Sequence, residues 1–415
     1  MAQAADGALS LSLPAKSAIV FPVCVYVYAA FFALLPCVQF TYIHTRPNPL
    51  AVVNAQSKTL SKLVRQLKDG CRKDEEPKES TLCGLNPCLK CLQPDILYHL
   101  GLDTETTDFP KVFGDVRFVC MGGTPGRMEN FAYYLMQEIG LKINAATKLR
   151  DMAEGGRRFS MFKVGPVLCA SHGMGCPSIS ILLHELIKTM HHAKCQDPVF
   201  IRIGTCGGIG VDPGTVVISS EAVDGRLNPA HEILVQGISV QHASQLDEGL
   251  AEEIKSCHDP CTDNHEVIIG RTLCTQDFYE GQARLDGAFC EYTLEAKKTY
   301  LEELQNQQVK NIEMESLAFA ALTSRANIRS AVVCVAILNR LNGDQIKTPH
   351  EVLAKWEKRP QVLVARYIRK ILYFNENDSD SEPLEEEECE ETPEKTRASQ
   401  GGAGDTQKAP EVEAE

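Results

Sequence analysis

No cluster of basic residues, no paired Cys-x-x-Cys motif and no phosphate-binding P-loop occur in this sequence. A single tryptophan is present among 415 residues. Each absence removes a class of function. Without a basic stripe, a nucleic-acid surface is excluded. No G-x-G-x-x-G opens a helix with an acidic residue about 20 positions on, so the dinucleotide fingerprint is missing. No GK[ST] closes a glycine-rich loop, no H-E-x-x-H binds zinc, and no G-x-S-x-G presents a nucleophile. Cysteine is plentiful at 17 residues, yet many sit in apolar strand-like runs, as Cys120, Cys169 and Cys334 do. Such thiols act as small buried hydrophobes and suit a reducing compartment. Cys71, Cys83, Cys88 and Cys91 cluster, but only the last two have metal-ligand spacing.

Charge is unevenly placed. The net charge is −13. Residues 375–415 hold 15 acidic and 3 basic residues, so 3 − 15 = −12, and the rest carries −1. That tail is too polar to bury a core and reads as disordered. Ser379 and Ser381 lie among its acidic residues, and a sequon begins at Asn377. At the other end, no Asp, Glu, Lys or Arg occurs from Ser17 to Thr45. The apolar segment at about 18–43 has the roughly 20 residues a bilayer span needs. It reads either as a membrane anchor or as an extension without a role in chemistry.

Three regions follow: an extension over 1–90, a catalytic domain over 91–374 and the acidic tail over 375–415. In the middle region, strand-like runs (116–121, 166–171, 199–204, 215–223, 266–274, 330–338) alternate with helical patterns (129–140, 178–190, 315–325). Residues 350–372 read as a helix broken near Pro360. The pattern predicts an α/β fold, one domain with a central sheet flanked by helices.

Glycine-rich turns follow three of the strands, where open α/β folds bind ligands. MGGTPGR (121–127) is either a plain turn with a surface arginine or an anion site built from backbone N–H groups, a helix start and Arg127. SHGMGCPS (171–178) is a tight turn in which His172 reads as a hydrogen-bonded structural histidine. In RIGTCGGIG (202–210), Arg202 lies within an apolar strand, where a charge must be paired or serve a site. Arg127 and Arg202 together suit one phosphate, because the guanidinium fork matches its oxygens. FYEGQARLDG (278–287) offers Gln282, which can read an amide-like edge such as that of uracil, and Arg284, which can stabilise a leaving base. In NIEMES (311–316), Glu313 and Glu315 either accept sugar hydroxyls or balance a helix N-terminus.

These segments, with PDILYHLGL and LNRLNGDQI, occur in an order that resembles the animal-type uridine phosphorylases of the nucleoside phosphorylase family, over about 94–372. The resemblance implies that family's mixed central sheet and phosphorolysis of uridine to uracil and ribose 1-phosphate. It implies phosphate contacts from Gly123, Arg127, Arg202 and Thr205, with Arg158 delivered by a neighbouring subunit. Uracil would meet Phe278, Gln282, Arg284 and Arg340. Ribose would meet Met314, Glu315 and, across a homodimer, His99. Arg127, Arg202, Gln282, Arg284 and Glu315 would carry catalysis, with phosphate as co-substrate and no metal or organic cofactor. Ala283 and Cys206 stand where relatives usually have glycine and serine. A cytoplasmic enzyme is the expectation. The alternatives are a relative preferring thymidine, deoxyuridine or a purine nucleoside, and a membrane-tethered interaction protein without activity.

Overall fold

β-Branched and apolar runs bounded by glycine and proline form the frame. A computed structural model of the chain describes residues 81–141 and 148–377. The apolar segment at 18–43, Cys71 and the acidic tail beyond 377 lie outside the described residues. Among those described, no helix is long and apolar enough to cross a membrane, and no group of three His, Cys, Asp or Glu side chains is placed to hold a metal.

The strands are β1 (Ile96–Leu97), β2 (Leu102–Asp103), β3 (Phe118–Gly122), β4 (Met161–Val164), β5 (Val167–Ser171), β6 (Val199–Gly208), β7 (Val216–Val223), β8 (Ala230–Val235), β9 (Ile238–Ala243), β10 (Val267–Cys274), β11 (Val309–Glu313) and β12 (Ser330–Asn339). The helices are α1 (Phe109–Phe113), α2 (Pro125–Glu138), α3 (Cys176–His192), α4 (Glu248–Lys255), α5 (Leu294–Asn306), α6 (Ser316–Arg325) and α7 (His350–Asn377). Eight strands form one mixed sheet in the order β11-β10-β7-β12-β6-β3-β5-β4. β11 also pairs antiparallel with the end of β6, curling one side of the sheet back on itself. Its central strands are buried on both faces, which is why they read as continuous apolar runs rather than alternating ones. One core packs α1, α3 and α6 against one face. A second packs α2, α4 and α7 against the other.

Two expectations change. Helix α7 runs unbroken through Pro360. Proline removes one helical hydrogen bond. The turns on its far side bury Leu363, Val364, Tyr367 and Ile368 in the second core, which outweighs that loss. The extension read as 1–90 overlaps the packed body at its C-terminal end. Leu82 and Leu85 lie against the first core, and the Cys83 N–H donates to the Ala326 carbonyl at 3.2 Å.

Candidate active site

Strand β6 carries the centre of the site. Side chains two apart on a strand share a face, so Arg202 and Gly204 lie together. A Cβ on Gly204 would meet the Arg202 guanidinium at 2.8 Å, so glycine there leaves the arginine room to lie along the strand. Gly207 does the same for Arg340, whose Cγ a Cβ would meet at 2.9 Å. A bulge in β12 between Ala336 and Leu338 turns Ile337 into the same space.

Arg202 is only 2% exposed. Burial disfavours its charge, but Glu313 and Glu315 more than compensate and raise its pKa well above the ordinary arginine value. Nη2 lies 3.0 Å from Glu313 and pairs with Glu315, and Nη1 donates to Cys334 Sγ at 3.0 Å. Nε has no partner among the described residues. The two glutamates share Arg202 and differ in their other partners. Glu313 accepts the Ser316 N–H at 2.9 Å and the Glu315 N–H at 2.9 Å, so it caps the start of α6. Glu315 accepts the Gly175 N–H at 2.5 Å and, like Glu313, pairs with Arg202. Burial pushes the Glu313 carboxyl up. Burial also works against Glu315, but Arg202 and the Gly175 N–H hold it low, so it stays ionised.

The other loops converge on this pair. Thr124 caps α2, and Pro125 begins it, which aims Arg127 inward. Arg127 Nη2 lies 2.8 Å from Glu357 of α7. Arg158 follows a left-handed turn at Arg157 (φ 55°), and its Nη2 donates to Ser178 Oγ at 3.3 Å. At the far end, the turn Glu280–Gln282 closes on Ala283, which is left-handed at φ 51° and ψ 39°. Glycine is the residue such a backbone favours, and alanine holds it here while nearly buried. That turn presents Gln282, and Arg284 follows. The Arg284 guanidinium lies 4.4 Å from the Phe278 ring centroid and binds Asp286 through two hydrogen bonds of 2.8 and 2.7 Å. Arg340 is fully buried, and it donates to the Gln282 side-chain oxygen at 3.1 Å.

Together these residues line one cavity of about 640 Å³. Gly123, Arg127, Arg158, Arg202 and Thr205 are in its wall, as are Phe278, Gln282, Arg284, Arg340, Met314 and Glu315. Its size suits a nucleoside-sized ligand. One part is rich in guanidinium groups and backbone turns, another in amide and aromatic groups. Arg158 and His99 are both expected to act across a subunit interface. Arg158, expected from a neighbouring subunit, lines the cavity of its own chain, because the turn at Arg157 folds it over the start of α3. His99 does not line the cavity of its own chain, as a residue expected to act across a homodimer need not. Its Nδ1 lies 2.7 Å from Glu185, and its side chain is 41% exposed.

His172 corrects an expectation. Its backbone is pinned, with the N–H donating to the Gly122 carbonyl at 2.7 Å and the carbonyl accepting from Ser178 Oγ at 2.6 Å. Neither ring nitrogen has a hydrogen-bond partner among the described residues. Complete burial, reinforced by Arg202, lowers its pKa to about 3, so the ring is neutral. Sequence reasoning also missed Glu357 and Asp344, which hold Arg127 and Arg340. Both come from the last third of the chain; Asp344 stands in LNRLNGDQI, four residues after Arg340, while Glu357 stands in no motif that marks it.

The Phosphorylase superfamily model matches residues 117–369, and the chain belongs to that family, among its uridine phosphorylases. It is 49% identical to human uridine phosphorylase 2 over 287 residues, covering 69% of this chain and 90% of that protein. A crystal structure of uridine phosphorylase from Schistosoma mansoni in complex with 5-fluorouracil superposes with a TM-score of 0.67 at 37% identity, covering 70% of this chain and 99% of that one. The inactive uridine phosphorylase B of the same organism is 36% identical over 289 residues, covering 69% and 95%. The site residues therefore have to carry the argument for activity.

Proposed function

We propose that this chain catalyses the reversible phosphorolysis of uridine to uracil and α-ribose 1-phosphate. One observation carries the reading. A single cavity joins Arg127, Arg158, Arg202 and Thr205 to Gln282 and Arg284, with Glu315 and Met314 also in its wall. Phosphate suits the first group, since arginine forks and backbone turns match its oxygens. Uracil suits the second, where an amide and a guanidinium meet its polar edge above an aromatic ring. Ribose lies between, with hydroxyls toward the ionised Glu315.

In this mechanism the C1′–N1 bond stretches first, and the sugar gains oxocarbenium character. Phosphate, held on the opposite face by the arginines, stabilises that cation and then bonds to C1′. The electron pair of the broken bond leaves with uracil, whose negative charge Arg284 and Gln282 stabilise. Positioning and electrostatics supply the rate, so phosphate is the co-substrate and the proposal calls on no cofactor. Half-exposed His99, away from its own cavity, supports a homodimer in which it reaches the partner's ribose. Every cysteine among the described residues is free, which supports a reducing, cytoplasmic setting.

The test is uracil release from uridine by the purified full chain, with and without phosphate, with thymidine, deoxyuridine and inosine as comparisons. Phosphate-dependent cleavage of uridine in preference to inosine is expected. Faster cleavage of one of the other nucleosides would reassign the substrate. No cleavage of any of the four by folded protein would overturn the catalytic reading.

A further inference from the structure

A second set of charges lies behind the amide end of the cavity. Lys297, on α5, is only 4% exposed and does not line the cavity. Its Nζ lies 2.6 Å from Asp344 Oδ2. Asp344 acts as a hub. Its Oδ1 takes Arg340 Nη2 at 3.0 Å, and its Oδ2 also accepts the Leu285 N–H at 3.0 Å. Its carbonyl accepts Arg284 Nη2 at 3.0 Å. Arg340 passes the constraint on, donating to the Gln282 side-chain oxygen at 3.1 Å and to the Gln282 carbonyl at 2.7 Å. A guanidinium has only donors, so the atom of Gln282 facing it is the oxygen, and the NH2 keeps its donors for a ligand carbonyl.

We propose that Lys297 is a positioning residue for the base: through Asp344 it fixes Gln282 and Arg284, and it leaves this end of the cavity one positive charge in excess. The proposal rests on the uridine reading and deepens it. The cations are Arg284, Arg340 and Lys297, and the carboxylates are Asp286 and Asp344, so 3 − 2 = +1. A neutral nucleoside gains little from that excess. A departing uracil, which takes on a full negative charge, gains much more, and only such a difference accelerates the reaction. Replacing the lysine by an uncharged residue brings the sum to zero and leaves Asp344 Oδ2 with the Leu285 N–H but without its cation.

The discriminating measurement compares uridine with 5-fluorouridine in wild type, Lys297→Met and Lys297→Arg, all as full chains. Fluorine makes the base more acidic, so its anion leaves with less help. Lys297→Met is expected to lower kcat/KM for uridine about tenfold but for 5-fluorouridine only about threefold, with the KM for phosphate changed less than about twofold. Lys297→Arg should restore most of the uridine activity. If the methionine variant does not fold, Lys297→Gln keeps a donor to Asp344 without the charge, and the same discrimination between nucleosides is expected. Equal losses for the two nucleosides, or no loss, would overturn the inference. A wild-type chain that cleaves no uridine would overturn the underlying reading and this inference with it.

Discussion

Arg202 and Arg127 stand in the same cavity but in different energetic positions. Arg202 is buried between two carboxylates. Arg202→Ala leaves both uncompensated, and breaking a buried pair this way costs about 3–5 kcal/mol. Arg127 is more open and, among the described residues, pairs with Glu357. Arg127→Ala is expected to cost little stability but to lower turnover at least about tenfold, because a charge-assisted contact that tightens in the transition state is lost. Denaturant midpoints and phosphate-dependence curves on the two variants check this. A stable Arg202→Ala, or unchanged phosphate dependence in Arg127→Ala, would contradict the assignments. Gly204→Ala tests the close approach on β6. Its Cβ would stand 2.8 Å from Arg202 Nη1. The guanidinium must move off the strand, and the KM for phosphate should rise about tenfold. An unchanged KM would show that Arg202 need not lie where it does.

Elements differ in how much of them could be read from the chain. The buried strands were legible because apolar runs such as 330–338, and 199–204 with Arg202 as its one charge, allow few alternatives. Helix α3 was legible from its strong amphipathic pattern. The β8–β9 hairpin was not read, since it is a separate two-stranded sheet, half-exposed and mixed in character. Pro360 misled in the other direction. Local chemistry argued for a break, and packing of α7 on the sheet overrode it. Pro360→Ala should restore a helical hydrogen bond and stabilise the chain by about 1–3 kcal/mol, read as a shift in the urea midpoint. A loss of stability would instead mean that the ring's packing matters more than the missing bond, since Pro360 is buried.

For the whole molecule, acid stability follows from histidines that folding keeps neutral. Burial lowers His172 to about 3 and His265 to about 4, from 6.5. Between those values and 6.5 the unfolded chain binds protons that the folded chain refuses. Stability is therefore full above about pH 6.5 and falls as the pH drops toward 3 to 4. For a buried group such as His172 the loss is about 1.4 kcal/mol for each pH unit of the window. Urea midpoints at pH 7 and pH 5 should differ in that direction, and His172→Gln should narrow the difference. An identical midpoint at both values would rule out a neutral-histidine contribution.

The sequence by itself determined the α/β class, the positions of the main strands along the chain and the motifs that line the cavity. Those properties are local, set by apolar runs, glycine turns and the residue types that phosphate and uracil require. Only the tertiary structure decided that both glutamates of one motif pair with Arg202, and that Glu313 also caps α6 while Glu315 also takes the Gly175 N–H, since these partners meet only once β11 and α6 pack beside β6. It alone joined Glu357 to Arg127 across 230 positions, and Lys297 and Asp344 to the base-reading pair. Such partners are chosen by where the folded sheet brings distant loops together, and the spacing of residues along the chain carries no record of that.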